Sequence, residues 1–447
     1  MDRKKALSLA GRMLGILALL ALLLLWWPRY NYGPLARTAA LVSAGLFALL
    51  GLRFMPRWVD FWSDSPLPAA PDRKEPRGMG LRIFLSLLCL DLLILLAAWG
   101  LRAALGHGGS FQEKLYFWTF TDSQHYLAIA EDWYLSEGDR GRVVQLVFLP
   151  GYPVLVRLVK PLVGSYLTAG LLVSGLCFAG SGVVFYRLVR LDLPHQASLR
   201  ALVFLCLLPG SFFYAAPMSE SLFLLCSLGC VYLARRDRWW AAGLCGAWAA
   251  FTRSLGLMLL APLIMELVAE AVRDKTPAKK LVPRAASLLL VPLGFAAYCV
   301  VNYLVAGNPF QFMIYQAEHW GQHLGLFFNT AAYQTEMAIT SLADKPQNFL
   351  GLWLPNLIYG FAAPALTAAA VKKLRPSYTA WFIAYFVIAI GATWLLSAPR
   401  YLMVMPVLPM ALALLTEKKS AGIGAAISLA LPWLLYFLAF LQQWQVW

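Results

Sequence analysis

The sequence predicts an all-α protein that crosses a membrane many times. Of its 447 residues, 60% are hydrophobic and only 13% are charged. Apolar runs of roughly twenty residues recur along the chain, which is the length of a transmembrane helix. Because the lipid core offers backbone groups no water to bond, and because the runs lack the alternation of barrel strands, the predicted fold class is a polytopic helix bundle.

We predict about thirteen spans, with the N-terminus inside and the C-terminus outside. The segments assigned to the inner side hold 26 of the 37 lysines and arginines, as the positive-inside rule requires. The net charge of +15 therefore reports topology, and we predict no nucleic-acid partner. The predicted spans are 11–27, 36–54, 82–105, 166–187, 199–215, 217–234, 239–253, 255–272, 283–306, 348–371, 378–396, 400–416 and 421–441.

Long segments between the spans divide the chain into five parts. In the first outer loop, residues 146–163 are apolar yet carry Arg157 and Lys160, which predicts a helix that lies on the membrane surface or re-enters it. The parts are an N-terminal hairpin (1–54), an inner linker (55–81), a central module (82–306) that includes the outer loop 106–165, a second outer loop (307–347), and the C-terminal helices (348–447).

The first outer loop holds a carboxylate, an imidazole and a phenol within five residues, at Asp122, His125 and Tyr126. Thr121 and Gln124 have the spacing of a capping box, which predicts a short helix with Asp122 in its first turn. An ionised carboxylate at the mouth of a cavity can take a proton from a sugar hydroxyl. The same position also suits an acid that only complements the helix end. Local sequence leaves both interpretations open.

Two more motifs carry polar groups next to apolar spans. The segment 150–153 (Pro-Gly-Tyr-Pro) places the phenol of Tyr152 at a bend fixed by two prolines, or else forms the entry turn of a helix. Glu220 stands at the start of an apolar span, where acids are rare and usually functional or paired. It could also serve only as an N-terminal helix cap.

Two arginines oppose the charge bias because they lie at outer ends of spans. A guanidinium group at Arg253 or Arg400 could bind a lipid phosphate through paired hydrogen bonds. Either one alone could instead snorkel to lipid headgroups. Taken together with Asp122 and Glu220 on the same side of the membrane, they favour a site.

The second outer loop contributes Gln316 and Trp320, which suit the hydroxyls and the flat apolar face of a sugar. An aromatic anchor at the membrane interface is the alternative. His319 and His323 have one-turn spacing, but no third ligand follows, and the seven cysteines lack metal-ligand spacing. We therefore predict no metal site.

The sequence contains six motifs in the order in which they occur in the PIG-V family. It therefore resembles this family, which holds GPI mannosyltransferase 2 and its prokaryotic relatives and lies within the GT-C superfamily of glycosyltransferases. Three positions depart from the usual pattern: Thr121 stands where tryptophan is usual, Leu149 where phenylalanine is usual, and Gly151 where leucine is usual. The motifs are Asp122-x-x-His125-Tyr126, Phe148-Leu149-Pro150-Gly151-Tyr152-Pro153, Ser219-Glu220-Ser221-Leu222-Phe223, Thr252-Arg253-Ser254, Gln316-x-x-x-Trp320-Gly321 and Pro399-Arg400-Tyr401.

The resemblance implies a GT-C-like bundle with 82–306 as its catalytic module. It implies an inverting transfer of a sugar, usually mannose, from a polyprenyl-phosphate donor to a lipid or glycan acceptor. The expected location is the outer face of a bacterial plasma membrane, without a cofactor or a metal; the need for a partner subunit stays open. By the same resemblance Asp122 is the general base, and the substrate-binding residues are His125, Tyr126, Tyr152, Glu220, Arg253, Gln316, Trp320, Arg400 and Tyr401.

Two other functions remain open from the residues alone. A lipid or polysaccharide transporter would need polar groups at mid-span and internal repeats, whereas the informative residues here lie at one face. A non-catalytic scaffold of the cell envelope would tolerate changes at Asp122, Arg253 and Arg400 together.

Overall fold

A computed structural model describes residues 3–63, 75–110, 113, 115–134 and 140–446. Within these ranges all regular elements are helical, and an isolated antiparallel bridge joins Leu324 to Ala392. The prediction of an all-α protein is confirmed.

The helices follow the apolar runs closely. In chain order they are α1 (Arg3–Trp26), α2 (Pro34–Phe61), α3 (Met79–Ala104), α4 (Ser123–Asp132), α5 (Gly151–Val163), α6 (Tyr166–Arg190), α7 (His195–Leu207), α8 (Glu220–Ala234), α9 (Trp239–Thr252), α10 (Leu260–Val272), α11 (Ala278–Leu288), α12 (Leu290–Ala306), α13 (Gln311–Trp320), α14 (Phe327–Asp344), α15 (Pro346–Asn348), α16 (Leu354–Ala370), α17 (Pro376–Ile390), α18 (Ala398–Met403), α19 (Val407–Leu415) and α20 (Lys419–Leu441). Shorter 3₁₀ turns cover Tyr116–Thr119, Arg140–Val147, Ser211–Tyr214 and Ser254–Leu259, and a π turn covers Phe349–Trp353.

Eight helical stretches of the described chain are long and apolar enough to cross a membrane by length and composition. Three other apolar helices, α7, α8 and α17, have 13 to 15 residues. At 1.5 Å per residue they reach roughly 20–23 Å, less than the ~30 Å of a hydrocarbon core. The count of thirteen spans is therefore not confirmed and stays a prediction. The eight stretches are Arg3–Trp26, Pro34–Phe61, Met79–Ala104, Tyr166–Arg190, Ser254–Val272, Ala278–Ala306, Pro346–Ala370 and Lys419–Leu441.

The short helices end where the chain turns inside the protein. α7 stops before Pro209 and Gly210, and Gly210 has the left-handed φ of +90° that favours glycine. The predicted span 400–416 is split into α18 and α19, because Pro406 lies between them. Non-helical backbone at membrane depth is tolerated where protein or a water-filled cavity covers it. Gly210 and Pro406 are both buried, so protein covers these breaks.

The N-terminal hairpin is fastened to the second half of the chain. The indole Nε1 of Trp26 donates to Asn329 Oδ1 at 2.8 Å, and the Gly33 amide donates to Glu336 at 3.3 Å. Both partners lie in α14. α2 continues to Phe61, so the first part of the segment 55–81 is helical, and residues 64–74 lie outside the described ranges.

Segments that the charge bias assigns to the inner side contact one another. We name the inner ion cluster after six side chains that meet there: Asp192, Arg235, Glu266, Arg375, Ser377 and Tyr378. The alternation of spans predicted from the sequence brings the ends of α6, α8, α10 and α17 to one place, and the structure agrees with it.

Candidate active site

Four helix ends from distant parts of the chain supply charged groups to one point. Asp122 lies directly before α4, and Glu220 is the first residue of α8. Arg253 directly follows α9, and Arg400 lies in the short helix α18. We name these four residues the outer ion cluster.

Arg400 joins the two acids of this cluster. Its Nη1 lies 2.8 Å from Asp122 Oδ2. Its Nε donates to Glu220 Oε1 at 2.8 Å, and its Nη2 lies 2.7 Å from the same oxygen. Arg253 Nη1 donates to that oxygen as well, at 2.8 Å. One carboxylate oxygen of Glu220 therefore binds two guanidinium groups.

The members of the outer ion cluster differ in burial. The side chain of Glu220 is fully buried, that of Arg400 is 4% exposed and that of Arg253 is 10% exposed. The side chain of Asp122 is 26% exposed. Asp122 is thus the member of the cluster that is open to incoming molecules.

A cavity of about 190 Å³ lies beside the cluster. Asp122, Arg253 and Arg400 form one side of it, and amide and aromatic side chains form the rest. The cavity offers an acid, two fixed positive charges and flat apolar surfaces to one ligand. Its walls are Asp122, Tyr126, Val147, Phe148, Leu149, Thr252, Arg253, Ser254, Leu255, Phe312, Gln316, Trp320, Gln322, Arg400 and Tyr401.

The backbone before α4 differs from the predicted capping box. α4 begins at Ser123, and neither a Thr121 nor an Asp122 side chain caps it. Thr121 has a φ of +61°, a left-handed conformation that is unusual for a β-branched residue. Its buried Oγ1 has no hydrogen-bond partner among the described residues. The capping-box prediction is wrong because Thr121 has a left-handed backbone conformation and makes no side-chain hydrogen bond to the helix start, and Asp122 pairs with Arg400.

The other residues of the first motif take different positions. Tyr126 lines the cavity, and its hydroxyl lies 2.8 Å from Ser219 Oγ. His125 is half-buried outside the cavity wall, with its ring stacked on Phe148 at 4.8 Å between centroids. Burial lowers the pKa of His125, and the charge of Asp122 only partly offsets that effect.

Tyr152 lies away from the cavity. It is fully buried in the first turn of α5, where its hydroxyl donates to the Gly170 carbonyl at 2.8 Å. The preceding Gly151 packs so closely on the end of α9 that an added Cβ would lie 2.4 Å from Thr252 Oγ1 and 2.9 Å from its Cα. Gly151 thus sets the close packing of α5 next to Arg253.

The second outer loop contributes to the cavity as predicted from its residue types. Gln316 and Trp320 in α13 line it, together with Gln322 just beyond the helix. Tyr401 lies opposite, with its ring centroid 4.9 Å from Cζ of Arg253. Seven of the ten predicted site residues therefore share one cavity, and His125, Tyr152 and Glu220 lie behind its wall. The roles of all ten residues stay predictions.

Sequence reasoning did not select some residues that matter to the cavity. Ser219 Oγ accepts from Arg253 at 3.2 Å and contacts the Tyr126 hydroxyl. Phe148 and Gln322 form part of the wall. The signal for Ser219 was its place beside Glu220, whereas nothing in the local sequence marks Gln322.

The described residues contain no group of three or more His, Cys, Asp or Glu side chains that could hold a metal ion. α13 ends at Trp320, so His319 and His323 do not share one helix. The expectation of a metal-independent protein stays a prediction.

Comparison with protein families finds a similarity in the middle of the chain. Residues 107–316, nearly half of the chain, match the family model described as Mannosyltransferase (PIG-V). The match includes Asp122, Glu220 and Arg253 and ends before Arg400, which the structure alone brings to the other three.

Curated proteins from animals match part of the chain. GPI alpha-1,6-mannosyltransferase 2 of Mus musculus is 32% identical over 207 residues, which cover 42% of this chain and 41% of that protein. The Homo sapiens protein of the same name is 34% identical over 152 residues, or 31% of this chain and 29% of that protein. The chain thus spans less than half the length of the relatives it matches.

Two solved structures are also similar to this chain. ArnT from Cupriavidus metallidurans bound to undecaprenyl phosphate aligns with a TM-score of 0.49 and 16% identity, over 79% of this chain and 63% of that one. The S. cerevisiae protein O-mannosyltransferase Pmt1-Pmt2 complex bound to the sugar donor aligns with a TM-score of 0.37 and 13% identity, over 55% and 37%.

Proposed function

We propose that this protein is an inverting membrane mannosyltransferase. It takes the sugar from a polyprenyl-phosphate donor and transfers it to a hydroxyl of a lipid or glycan acceptor, without a metal ion. The observation that carries this proposal is the outer ion cluster, in which one acid and two guanidinium groups face the same cavity.

Asp122 is the proposed general base. Glycosyl transfer needs a group that accepts the proton of the acceptor hydroxyl as the new bond forms. Among the described residues that line the cavity, Asp122 is the acid. Glu220 is fully buried beneath the two arginines, so it is not placed to attack the sugar. A single displacement with inversion fits one accessible carboxylate.

Arg253 and Arg400 are the proposed phosphate ligands. The leaving group gains negative charge as the sugar departs, and guanidinium groups stabilise that charge through strong hydrogen bonds. Both cations are held by Glu220 before any ligand arrives, so little reorganisation is needed at the moment of reaction. Fixed positive charge of this kind takes the place of a metal ion.

An apolar groove supports a donor with a long hydrocarbon chain. A cavity of about 530 Å³, lined almost wholly by apolar side chains, lies between α16, α19 and α20. Tyr436 lines this groove and packs on Phe212 at 5.7 Å, and the next ring, Phe213, lies 5.3 Å from Cζ of Arg400. A lipid whose tail lies in the groove would thus bring its phosphate towards Arg400.

The polar cavity suits the sugar and its acceptor. Gln316 and Gln322 offer amide groups to hydroxyls, and Trp320 offers a flat ring to an apolar sugar face. The positive-inside bias supports an outer-face location for this cavity. We assign the protein to a bacterial plasma membrane on the family resemblance, and leave the need for a partner subunit to experiment.

The proposal is tested by product formation. Purified protein in liposomes is incubated with radiolabelled polyprenyl-phosphate-mannose and a cell-lipid extract, and the labelled product is identified. We expect a mannosylated lipid or glycan and unchanged turnover in EDTA. Arg253→Gln should lower turnover by about 10²-fold, because a fixed stabilising charge is lost.

A matched control is Arg236→Gln, which removes an exposed arginine beyond the far end of α8. It should leave turnover unchanged. Movement of the intact donor across the liposome without a new glycosidic bond would contradict the proposal and indicate a transporter.

A further inference from the structure

Arg400 divides its hydrogen bonds between two acids that differ in mobility. Nε and Nη2 contact the same oxygen of Glu220, while Nη1 is directed at Asp122. A guanidinium group is planar and rigid, so two contacts on one edge fix the direction of the third nitrogen. Nη1 is therefore held at one place in the cavity wall.

The acid on the other side of this contact is less constrained. The side chain of Asp122 is 26% exposed, whereas those of Arg400 and Glu220 are 4% and 0% exposed. Asp122 accepts no hydrogen bond from the start of α4. If the contact between Arg400 and Asp122 breaks, Asp122 is the group that is free to turn.

The outer ion cluster is electrically balanced, with two acids and two arginines. A phosphate that arrives at Nη1 of Arg400 brings a further negative charge next to Asp122. Two anions on one nitrogen repel each other, so binding of the phosphate at Nη1 weakens the contact with Asp122. The donor phosphate and Asp122 therefore compete for the same donor atom.

We propose that Arg400 holds Asp122 in an idle pairing before the donor binds and exchanges it for the phosphate of the donor, so that the base becomes available only when the donor is bound. This inference rests on the proposed function, because it assigns the phosphate of that donor to Nη1. It makes Glu220 a positioning residue, which keeps Arg400 in place while its partner changes.

The exchange prepares the transfer step in a balanced way. The released Asp122 carboxylate accepts the proton of the acceptor O–H group. The acceptor oxygen forms a bond to the sugar C1 while the bond from C1 to the phosphate oxygen breaks. The electron pair of that broken bond stays on the phosphate oxygen, where Arg400 and Arg253 donate hydrogen bonds.

A double-mutant cycle tests the competition without measuring catalysis. The probe is polyprenyl monophosphate, the leaving group of the proposed reaction, and its affinity is measured for the wild type, Asp122→Asn, Arg400→Lys and the double variant in detergent micelles. Lysine keeps a charge beside Glu220 but presents a point charge that does not bridge two acids. Size-exclusion profiles and melting temperatures check that each variant is folded.

Asp122→Asn should tighten binding of the probe about threefold to tenfold in the wild-type background, because the phosphate no longer competes for Nη1. In the Arg400→Lys background the gain should fall below about 1.5-fold. Glu131→Gln, which neutralises an exposed acid on α4, controls for a general loss of negative charge and should change neither affinity.

The outcomes separate this inference from the proposed function. If Arg400→Lys weakens binding but Asp122→Asn gives no gain, or an equal gain in both backgrounds, the exchange is refuted and the donor site stands. If Arg400→Lys leaves the affinity unchanged, the phosphate does not bind there, and both the exchange and the assigned donor site fall.

Discussion

Two ion clusters with the same charges lie at the two ends of α8. They differ in how many of their polar atoms have hydrogen-bond partners. At the start of α8, Glu220 belongs to the outer ion cluster, and directly after its end Arg235 belongs to the inner one. Each cluster combines two acids with two arginines in largely buried surroundings. The two clusters therefore have similar charge and differ in the hydrogen bonds that their members make.

The inner ion cluster is saturated. Arg375 donates to both oxygens of Glu266 at 2.6 Å, and Ser377 donates to one of them at the same distance. Asp192 binds Arg235 and accepts from the Tyr378 hydroxyl at 2.9 Å. The cavity next to it measures about 10 Å³, room for one water at most.

The outer ion cluster is left incomplete. Glu220 Oε2 is buried with no hydrogen-bond partner in the described part of the chain, and Asp122 opens onto a cavity of about 190 Å³. A buried polar atom without a partner costs free energy, so it is retained where a ligand or a reaction uses the site. The presence or absence of hydrogen-bond partners for every charged group thus distinguishes a structural ion cluster from a reactive one better than charge alone.

The largest expected effect comes from removing one acid of each cluster. Asp122→Asn should lower turnover by about 10²–10⁴-fold, because the base is lost while the shape is kept. Asp192→Asn should leave the turnover of the folded protein within about threefold, because its acid binds only protein groups. Turnover per folded molecule with polyprenyl-phosphate-mannose is the measurement. Comparable losses in both variants would refute the distinction.

Stability should respond in the opposite order. Glu266→Gln breaks a buried, saturated pair and should lower the free energy of unfolding by about 3–5 kcal/mol. Asp122→Asn should change it by less than about 1 kcal/mol, because the Asp122 side chain is partly exposed. Unfolding in detergent micelles, followed by circular dichroism, measures both.

Glu417→Gln is the control for the stability comparison. Its pair with Lys373 is more than half exposed on both sides, so solvent screens the pair and its loss should hardly change the free energy of unfolding. If Glu266→Gln lowers the free energy of unfolding no more than this control does, the inner ion cluster does not stabilise the fold.

The smallest expected effect concerns pH at the edge of the outer site. Burial lowers the pKa of His125 in the folded protein, whereas the unfolded chain titrates near 6.5. Below about pH 6.5 the unfolded state therefore binds more protons, and the protein loses stability as the pH falls. His125→Gln should reduce the fall in melting temperature between pH 8 and pH 5. The exposed His319→Gln should leave this fall unchanged. An equally steep fall in both variants would contradict the assignment to His125.

Much of the outer site could be predicted from the sequence, because charged residues are rare next to apolar spans and therefore stand out. Glu220, Arg253 and Arg400 stand where lipid or topology disfavours a charge, and Asp122 lies within a few residues of an imidazole and a phenol. The structure brings the four charged residues together. The fold class followed from apolar run length for the same physical reason.

Other features depended on contacts between distant segments. The burial of Tyr152 is set by the carbonyl of Gly170 in α6, which no local pattern reveals. The failed capping box depends on the positive φ of Thr121, which its residue type disfavours. Apolar length also did not reveal that α7, α8 and α17 stop short of a full span, because the segments after α7 and α17 and the segment before α8 are largely apolar too.

The order in which the outer ion cluster is assembled has a consequence for membrane insertion. Glu220 and Arg253 lie on the neighbouring helices α8 and α9, so they can enter the bilayer as a neutral pair while the chain is still being synthesised. Arg400 follows about 150 residues later and converts that pair into a bridge to Asp122. The pair of Glu220 and Arg253 can thus be inserted without a net charge, and the centre is completed only after nearly the whole polypeptide has left the ribosome.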